Sequence, residues 1–296
     1  MVLALFLSLT LANDVQVLVA RNDLAGAERL VRASQKQAGT TPEFAAALSW
    51  LARGAFKARQ LDRAEAYTVE TRKLSDQLLH TRKLDADTWL PTAVGAAIEI
   101  HAQILAAHGQ GAEAVGFLRE QLALFGATSI HERIQKNLNL LSLEGKPAPP
   151  LDAAEWLGTK PPVLASLRGR PVLLFFWAHW CSDCKAEIPI VAEMERVFGP
   201  KGLAVIAPTK YYGYTAQVEN AAPAVERKYI DAVWRQYYTA LGNTPAPLSN
   251  ANFLQYGAST VPLLVLVDTA GVVRLFHPGN MSGPELAARI QAVLKK

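Results

Sequence analysis

The chain reads as two domains, an all-α unit followed by an α/β unit. Three observations predict this. At 296 residues the chain exceeds one typical domain and can bury two cores. From Asn13 to about Leu143 the residues are mainly Ala, Leu, Glu, Arg and Gln, and the two prolines there, Pro42 and Pro91, both sit where helices can start. The composition then changes at Glu144-Gly145-Lys146-Pro147-Ala148-Pro149-Pro150, where three prolines and a glycine cannot continue a helix. Beyond it, apolar runs suited to buried strands alternate with helical patterns. The expected layout is therefore 13–143 helical, 144–150 a linker, and 151–296 α/β with an insertion at about 210–249.

Residues 2–12, Val-Leu-Ala-Leu-Phe-Leu-Ser-Leu-Thr-Leu-Ala, have the length of a signal-peptide apolar region and are too short to span a bilayer. Ala12 could end a cleavage site. No Lys or Arg precedes Arg21, so the run is either a signal peptide lacking its basic start or the apolar beginning of the first helix. The pattern points to an exported, periplasmic or extracytoplasmic protein.

Within the helical domain one pattern recurs. Asn22-Asp23-Leu24-Ala25-Gly26-Ala27, Arg59-Gln60-Leu61-Asp62-Arg63-Ala64 and His108-Gly109-Gln110-Gly111-Ala112-Glu113-Ala114 are each a polar turn entering an Ala-containing helix. This resembles the turn inside a tetratricopeptide repeat, where a small residue lets two helices approach. Ala27 to Ala64 is 37 residues and Ala64 to Ala114 is 50, against ~34 for a regular array. A generic antiparallel helical bundle accounts for the same pattern. In either case Trp50, Phe56, Leu74, Ile98, Leu105 and Phe117 are expected in the core.

In the second half, Pro171–Ala178 is a continuous apolar run suited to a strand buried on both faces. A helix follows from about Cys181 to Phe198, kinked near Pro189, and Leu203–Ala207 is a second buried strand. The insertion carries an amphipathic helix over about Pro223–Leu241. Its aromatic residues Tyr211, Tyr212, Tyr214, Trp234, Tyr237 and Tyr238 could line a groove, with half-buried helix packing as the simpler reading. Strands at Leu263–Val267 and Val272–Phe276 flank the turn Asp268-Thr269-Ala270-Gly271, and a helix from Gly283 to Leu294 closes the fold.

The chemistry centres on Phe176-Trp177-Ala178-His179-Trp180-Cys181-Ser182-Asp183-Cys184-Lys185. The two cysteines are the only ones in the chain, too few for a disulfide framework or a four-ligand zinc site. A buried strand runs into a short loop and a helix begins at the first cysteine. Unpaired N–H groups and the positive end of the helix dipole there favour the nucleophilic thiolate. Cys181 is thus expected to lie exposed and to attack, and Cys184, one turn later, to resolve the mixed disulfide.

The segment resembles the active site of the thioredoxin superfamily, in particular the TlpA and ResA type of thiol-disulfide oxidoreductase. Lys146-Pro147-Ala148-Pro149, Leu167-Arg168-Gly169-Arg170-Pro171, the helix-kinking Pro189, Tyr256-Gly257-Ala258-Ser259-Thr260-Val261-Pro262 and the 268–271 turn match in order over residues 145–296, about half the chain. The resemblance implies a thioredoxin-like fold with no cofactor beyond the Cys181–Cys184 disulfide and no metal. It implies substrate contacts at Trp180, Val261 and Pro262, with Pro262 in the cis form so that Val261 presents its backbone to an extended peptide.

Glu187 corresponds to the ResA-type acidic residue. It reads either as an acceptor for the proton of the resolving thiol or as an ordinary solvated helix charge. Where thioredoxin has a buried aspartate this strand has Phe175, which leaves Glu187 as the nearby substitute. Ser182-Asp183 replaces Gly-Pro, and an acid between the cysteines disfavours the thiolate, which tilts the reading toward a reductase. His179 could offset this when protonated, but it reads more simply as an exposed loop residue without a role.

Charge narrows the partners. Lys and Arg balance Asp and Glu 15 to 15 over residues 1–144 and 15 to 11 over 145–296, a surplus too thin and scattered for nucleic acid. The expected partners are protein thiols and disulfides, an upstream thiol-disulfide electron donor, and a protein docked on the helical domain. A competing reading makes the protein an adaptor whose helical domain carries the function and whose redox centre is secondary or sensory. Copper binding through both sulfurs and His179 lacks the longer cysteine spacing or distant histidine it needs. A peroxiredoxin lacks its Pro-x-x-x-Thr-x-x-Cys element.

Overall fold

A computed structural model describes residues 10–242 and 244–294. The apolar run 2–12 falls outside the described residues except at its end, where Leu11 and Ala12 open the first helix. The chain divides into two compact units, Met1–Ile134 and Gln135–Lys296.

The first unit is helical: α1 (Leu11–Ala20), α2 (Leu24–Ala38), α3 (Pro42–Lys57), α4 (Leu61–Leu79), α5 (Trp89–Ala107), α6 (Gly111–Phe125) and the start of α7 (His131–Ser142). The three polar turns noted in the sequence join α1 to α2, α3 to α4 and α5 to α6, and they share one geometry. Asn22, Arg59 and Gly109 take left-handed φ values of 62°, 60° and 80°, and the N–H after each returns to a carbonyl of the preceding helix, Leu18, Ala55 and Leu105. Five residues after each left-handed position stands a fully buried alanine, Ala27, Ala64 or Ala114.

Of the large residues expected in this core, Ile98 is buried, whereas Trp50, Phe56, Leu74, Leu105 and Phe117 are only half-buried. Alanines explain the difference. Ala45, Ala46, Ala47, Ala52, Ala55, Ala93 and Ala96 are buried on α3 and α5, and the bulky rings Trp50, Phe56 and Phe117 stay at the margin. There Arg53 lies 4.2 Å over Trp50 and Arg72 lies 5.4 Å over Phe117. Helix α5 is long and apolar enough to cross a membrane, yet it packs against α3, α4 and α6 as a core helix.

The second unit contains β1 (Trp156–Leu157), β2 (Val172–Phe176), α8 (Ser182–Phe198), β3 (Ala204–Ile206), α9 (Pro223–Tyr237), β4 (Ala246–Pro247), α10 (Asn250–Tyr256), β5 (Leu263–Val267), β6 (Val273–Pro278) and α11 (Gly283–Leu294). The main sheet has the order β3-β2-β5-β6, with β3 parallel to β2 and the other pairs antiparallel. Every residue of β2 and β5 is buried. Leu173 and Phe175 join the core beneath α8, α9 and α11, while Leu174 and Phe176 join Phe253 and Tyr256 of α10 on the opposite face. This is the two-faced burial that the unbroken apolar runs predicted.

The segment 144–150, expected as a linker, instead runs along the second unit. Gly145 N–H donates to Val273 O at 2.8 Å, Val273 N–H to Lys146 O at 2.9 Å, and Ala148 N–H to Gly271 O at 2.9 Å. Tyr256 O–H donates to Pro149 O at 2.6 Å. The end of α7 is tied down as well, since Asn139 Nδ2 donates to Tyr256 O at 2.9 Å. Prolines there remove donors, but the Pro149 carbonyl and the N–H groups of Gly145, Lys146 and Ala148 still find partners.

The insertion is anchored at its base. Ser249 N–H donates to Thr209 O at 3.0 Å and Thr209 N–H to Pro247 O at 2.9 Å, and β4 pairs with β1. Its helix ends at Tyr237 and a separate 3-10 turn, Thr239–Leu241, follows, so the sequence expectation of one helix to Leu241 was too long.

The 268–271 turn yields a stability prediction. Asp268 is buried and accepts from Ala270 N–H and Val272 N–H, each at 2.9 Å, and from Arg274 Nε at 2.6 Å. Burial alone would raise its carboxyl, but these hydrogen bonds and the Arg274 charge together hold it below the usual range. Its stabilisation is therefore present above the unfolded-state value of about 3.9 and lost as pH falls through the lower folded-state value. Asp268→Ala is expected to cost about 2 kcal/mol near neutral pH, and Asp268→Asn less. Urea unfolding followed by tryptophan fluorescence should show the Asp268→Asn deficit shrinking in acid.

Candidate active site

The site lies where β2 hands over to α8. Thr209 Oγ1 donates to Trp177 O, and Trp177 Nε1 to Ala207 O, each at 2.9 Å, so the strand end is fixed to the segment leaving β3. Cys181 N–H then closes a turn on Ala178 O at 3.2 Å. Cys181 is the N-cap of α8, and its Sγ accepts the Cys184 N–H at 2.9 Å. This is the helix-terminal donor that favours negative charge on sulfur. Cys181 and Cys184 are joined as a disulfide, and among the described residues no cluster of three or more His, Cys, Asp and Glu is placed to hold a metal. The redox group of the site is the disulfide itself.

The Val261–Pro262 bond is cis, and Val261 O lies 3.6 Å from Cys181 Sγ. This loop covers the cysteine from one side. Cys181 is consequently not the exposed residue that the sequence suggested: it is 3% exposed and Cys184 is fully buried. What exposure the pair retains belongs to Cys181. Trp180, 48% exposed, stands beside it, with its ring edge-on to Tyr212 at 5.5 Å.

Glu187 is brought to the same end of α8 but is not a solvated charge. It is 1% exposed, accepting from Asn280 Nδ2 at 2.8 Å and from Met281 N–H at 3.2 Å. Asn280 Nδ2 also donates to Asp183 O at 3.0 Å, so the β6–α11 loop clamps the first turns of α8. Nothing in the sequence near Asn280 marks it for this task.

His179 departs furthest from expectation. Far from being an exposed loop residue, it is 2% exposed. The insertion covers it with Tyr212, Tyr214 and Tyr229 in edge-on contact and with Glu226, whose Oε1 is 3.3 Å from Nε2. Burial holds the imidazole below its ordinary range, against the pull of Glu226. Trp234 and Tyr238 stack at 5.1 Å and both pack on Trp177. The aromatic residues of the insertion thus serve partly as core, and the sequence reading missed that they bury the residue two before Cys181.

Fold and site together define a class: the second unit is a thioredoxin-like domain of the thiol-disulfide oxidoreductase type. Residues 145–210, which include both cysteines, match the AhpC/TSA family. The chain is similar to the thiol:disulfide interchange protein DsbE of Pseudomonas fluorescens biotype C, 29% identical over 154 residues that make up 51% of this chain and 77% of that protein. It is 22% identical to the thiol-disulfide oxidoreductase ResA of Geobacillus thermodenitrificans over 130 residues, 44% of this chain and 67% of ResA. Protein DipZ of Mycobacterium bovis is 34% identical over 140 residues, 45% of this chain but 19% of DipZ.

Proposed function

We propose that the second unit exchanges disulfides with protein substrates and acts as a reductase, with Cys181 attacking and Cys184 resolving. The observation that carries this reading is the Cys181 sulfur at the N-terminus of α8, receiving the Cys184 N–H and facing the Val261 carbonyl of the cis-proline loop. In the reduced protein the Cys181 thiolate attacks a substrate disulfide, forming a mixed disulfide and releasing one substrate sulfur, which takes a proton. Cys184 gives up its proton and attacks Cys181 Sγ. The intramolecular disulfide forms and the second substrate sulfur leaves. Trp180 and the backbone of Val261 and Pro262 bind the substrate strand, and an upstream dithiol restores the reduced pair.

Equilibration of the Cys181–Cys184 pair with glutathione tests the direction. The expected result is a pair more reducing than glutathione, and a pair that oxidises glutathione would overturn the reductase assignment.

Glu187, three residues after Cys184 on one helix, is the proposed acceptor of the resolving proton. Glu187→Gln is expected to slow resolution by roughly 100-fold while leaving the first attack unchanged. Acid-quenched single-turnover reactions should then accumulate the mixed disulfide.

The helical unit is the proposed docking surface for a protein partner. Val69 and Leu124, on α4 and α6, are 57% and 71% exposed, and this favours the adaptor as a second reading. An adaptor would keep its partner binding and biological effect in Cys181→Ser. The apolar run at residues 2–12 supports export as the setting of the exchange.

A further inference from the structure

Two buried groups beside the cysteine pair take no part in the exchange just described. His179 and Trp180 are the middle residues of the turn that Cys181 N–H closes on Ala178 O. The imidazole therefore hangs from the backbone two residues before the attacking sulfur, a span of at most ~7.6 Å between Cα atoms. Its Nε2 lies 3.3 Å from Glu226 Oε1, and no other hydrogen-bond partner reaches this buried nitrogen.

Glu226 is 1% exposed and is held from the other side, where Tyr212 N–H donates to Oε1 at 2.6 Å and Gly213 N–H to Oε2 at 2.8 Å. The other groups facing the imidazole are the rings of Tyr212, Tyr214 and Tyr229 at 5.5, 5.2 and 5.2 Å and the charge of Lys185 on α8. Burial and Glu226 push the Tyr214 phenol up, so that ring brings no competing charge.

We propose that Glu226 is a positioning residue for thiol-disulfide exchange, holding His179 beside Cys181 as the site that takes the second proton when the disulfide is reduced. The proposal rests on the exchange reading above. When a dithiol reduces the pair, the S–S bond breaks and two electrons and two protons arrive. One proton goes to Cys184 Sγ. The other goes to His179 Nε2, leaving a Cys181 thiolate near an imidazolium that faces the Glu226 carboxylate.

In the oxidised protein the neighbouring sulfur is neutral, and burial disfavours the imidazolium. Reduction adds a negative charge nearby, which raises the affinity of His179 for a proton. By reciprocity the protonated ring stabilises the thiolate by the same factor. The disfavouring effect of Asp183 is then offset by an imidazolium that Glu226 of the insertion holds in place.

NMR titration of the histidine rings of the full chain, oxidised and then reduced with excess dithiothreitol, tests this, with His179→Asn identifying the resonance. The proton affinity of His179 is expected to rise about tenfold on reduction. Alkylation of Cys181 by iodoacetamide should follow two pH steps in the natural protein and one in His179→Asn. Glu226→Gln should lower the His179 midpoint in both redox states, and Glu226→Asp should recover part of the shift.

An unchanged His179 midpoint on reduction, or an alkylation profile in His179→Asn that superimposes on the natural one, overturns the proposal. A purely structural Glu226 would lower the melting temperature of its variants and move neither profile. The exchange reading fails separately, by absence of equilibration with glutathione, and the titration still decides the His179 question because dithiothreitol generates the reduced state.

Discussion

Replacing Cys181 by serine is expected to abolish disulfide exchange, lowering turnover of a model protein disulfide by at least ~1000-fold, because the hydroxyl is a far weaker nucleophile at neutral pH than a helix-capped thiolate. Cys184→Ser should behave differently. The first attack remains, resolution is lost, and the substrate stays covalently attached through Cys181. Non-reducing electrophoresis should show this adduct for Cys184→Ser and none for Cys181→Ser. The asymmetry follows from geometry, since only Cys181 sits at the cap with any opening while Cys184 is sealed beneath it. Equal trapping by both variants would mean that the roles are reversed or shared.

The largest stability loss from one small side chain is expected at Gly257. It ends α10 in the left-handed region at φ +63°, where a side chain costs roughly 1–2 kcal/mol. A Cβ there would also come within 2.2 Å of the Lys136 backbone nitrogen and 2.6 Å of the Gln135 carbonyl carbon. Both obstacles are backbone and neither can rotate away. Gly257→Ala is therefore expected to destabilise the second unit by roughly 3–5 kcal/mol, read as a shift of the urea midpoint. Gly279, also left-handed at φ +100° but with open space around it, is the control, and Gly279→Ala should cost only the conformational part.

Gly257 also shows where sequence reading stops. The residue was recognisable within Tyr256-Gly257-Ala258-Ser259-Thr260-Val261-Pro262, but the close approach of α7 that excludes a side chain involves residues more than a hundred positions away. Glu187 is similar. Its spacing from the cysteines placed it on α8, yet only the loop carrying Asn280 and Met281 makes it buried and hydrogen-bonded. His179 read as exposed because a Trp-flanked loop histidine gives no local sign that an insertion some thirty residues later will cover it.

The short strands β1 and β4 escaped for another reason. Two residues each are too few to show a period of two, and their pairing joins segments ninety residues apart. The linker expectation failed because proline marks the end of a helix without saying what the following backbone will bond to.

What the amino-acid order determined by itself was local: the unbroken apolar runs of β2 and β5, the helix that begins at a cysteine, the cysteine spacing of one turn, and the proline ahead of β5. These follow from steric limits on the backbone and from side-chain periodicity, which act over a few residues. Tertiary structure alone decided which groups around the disulfide lost their water. Desolvation depends on what packs on top, and at this site the cover comes from the insertion, the β6–α11 loop and the cis-proline loop, none of them near the cysteines in sequence.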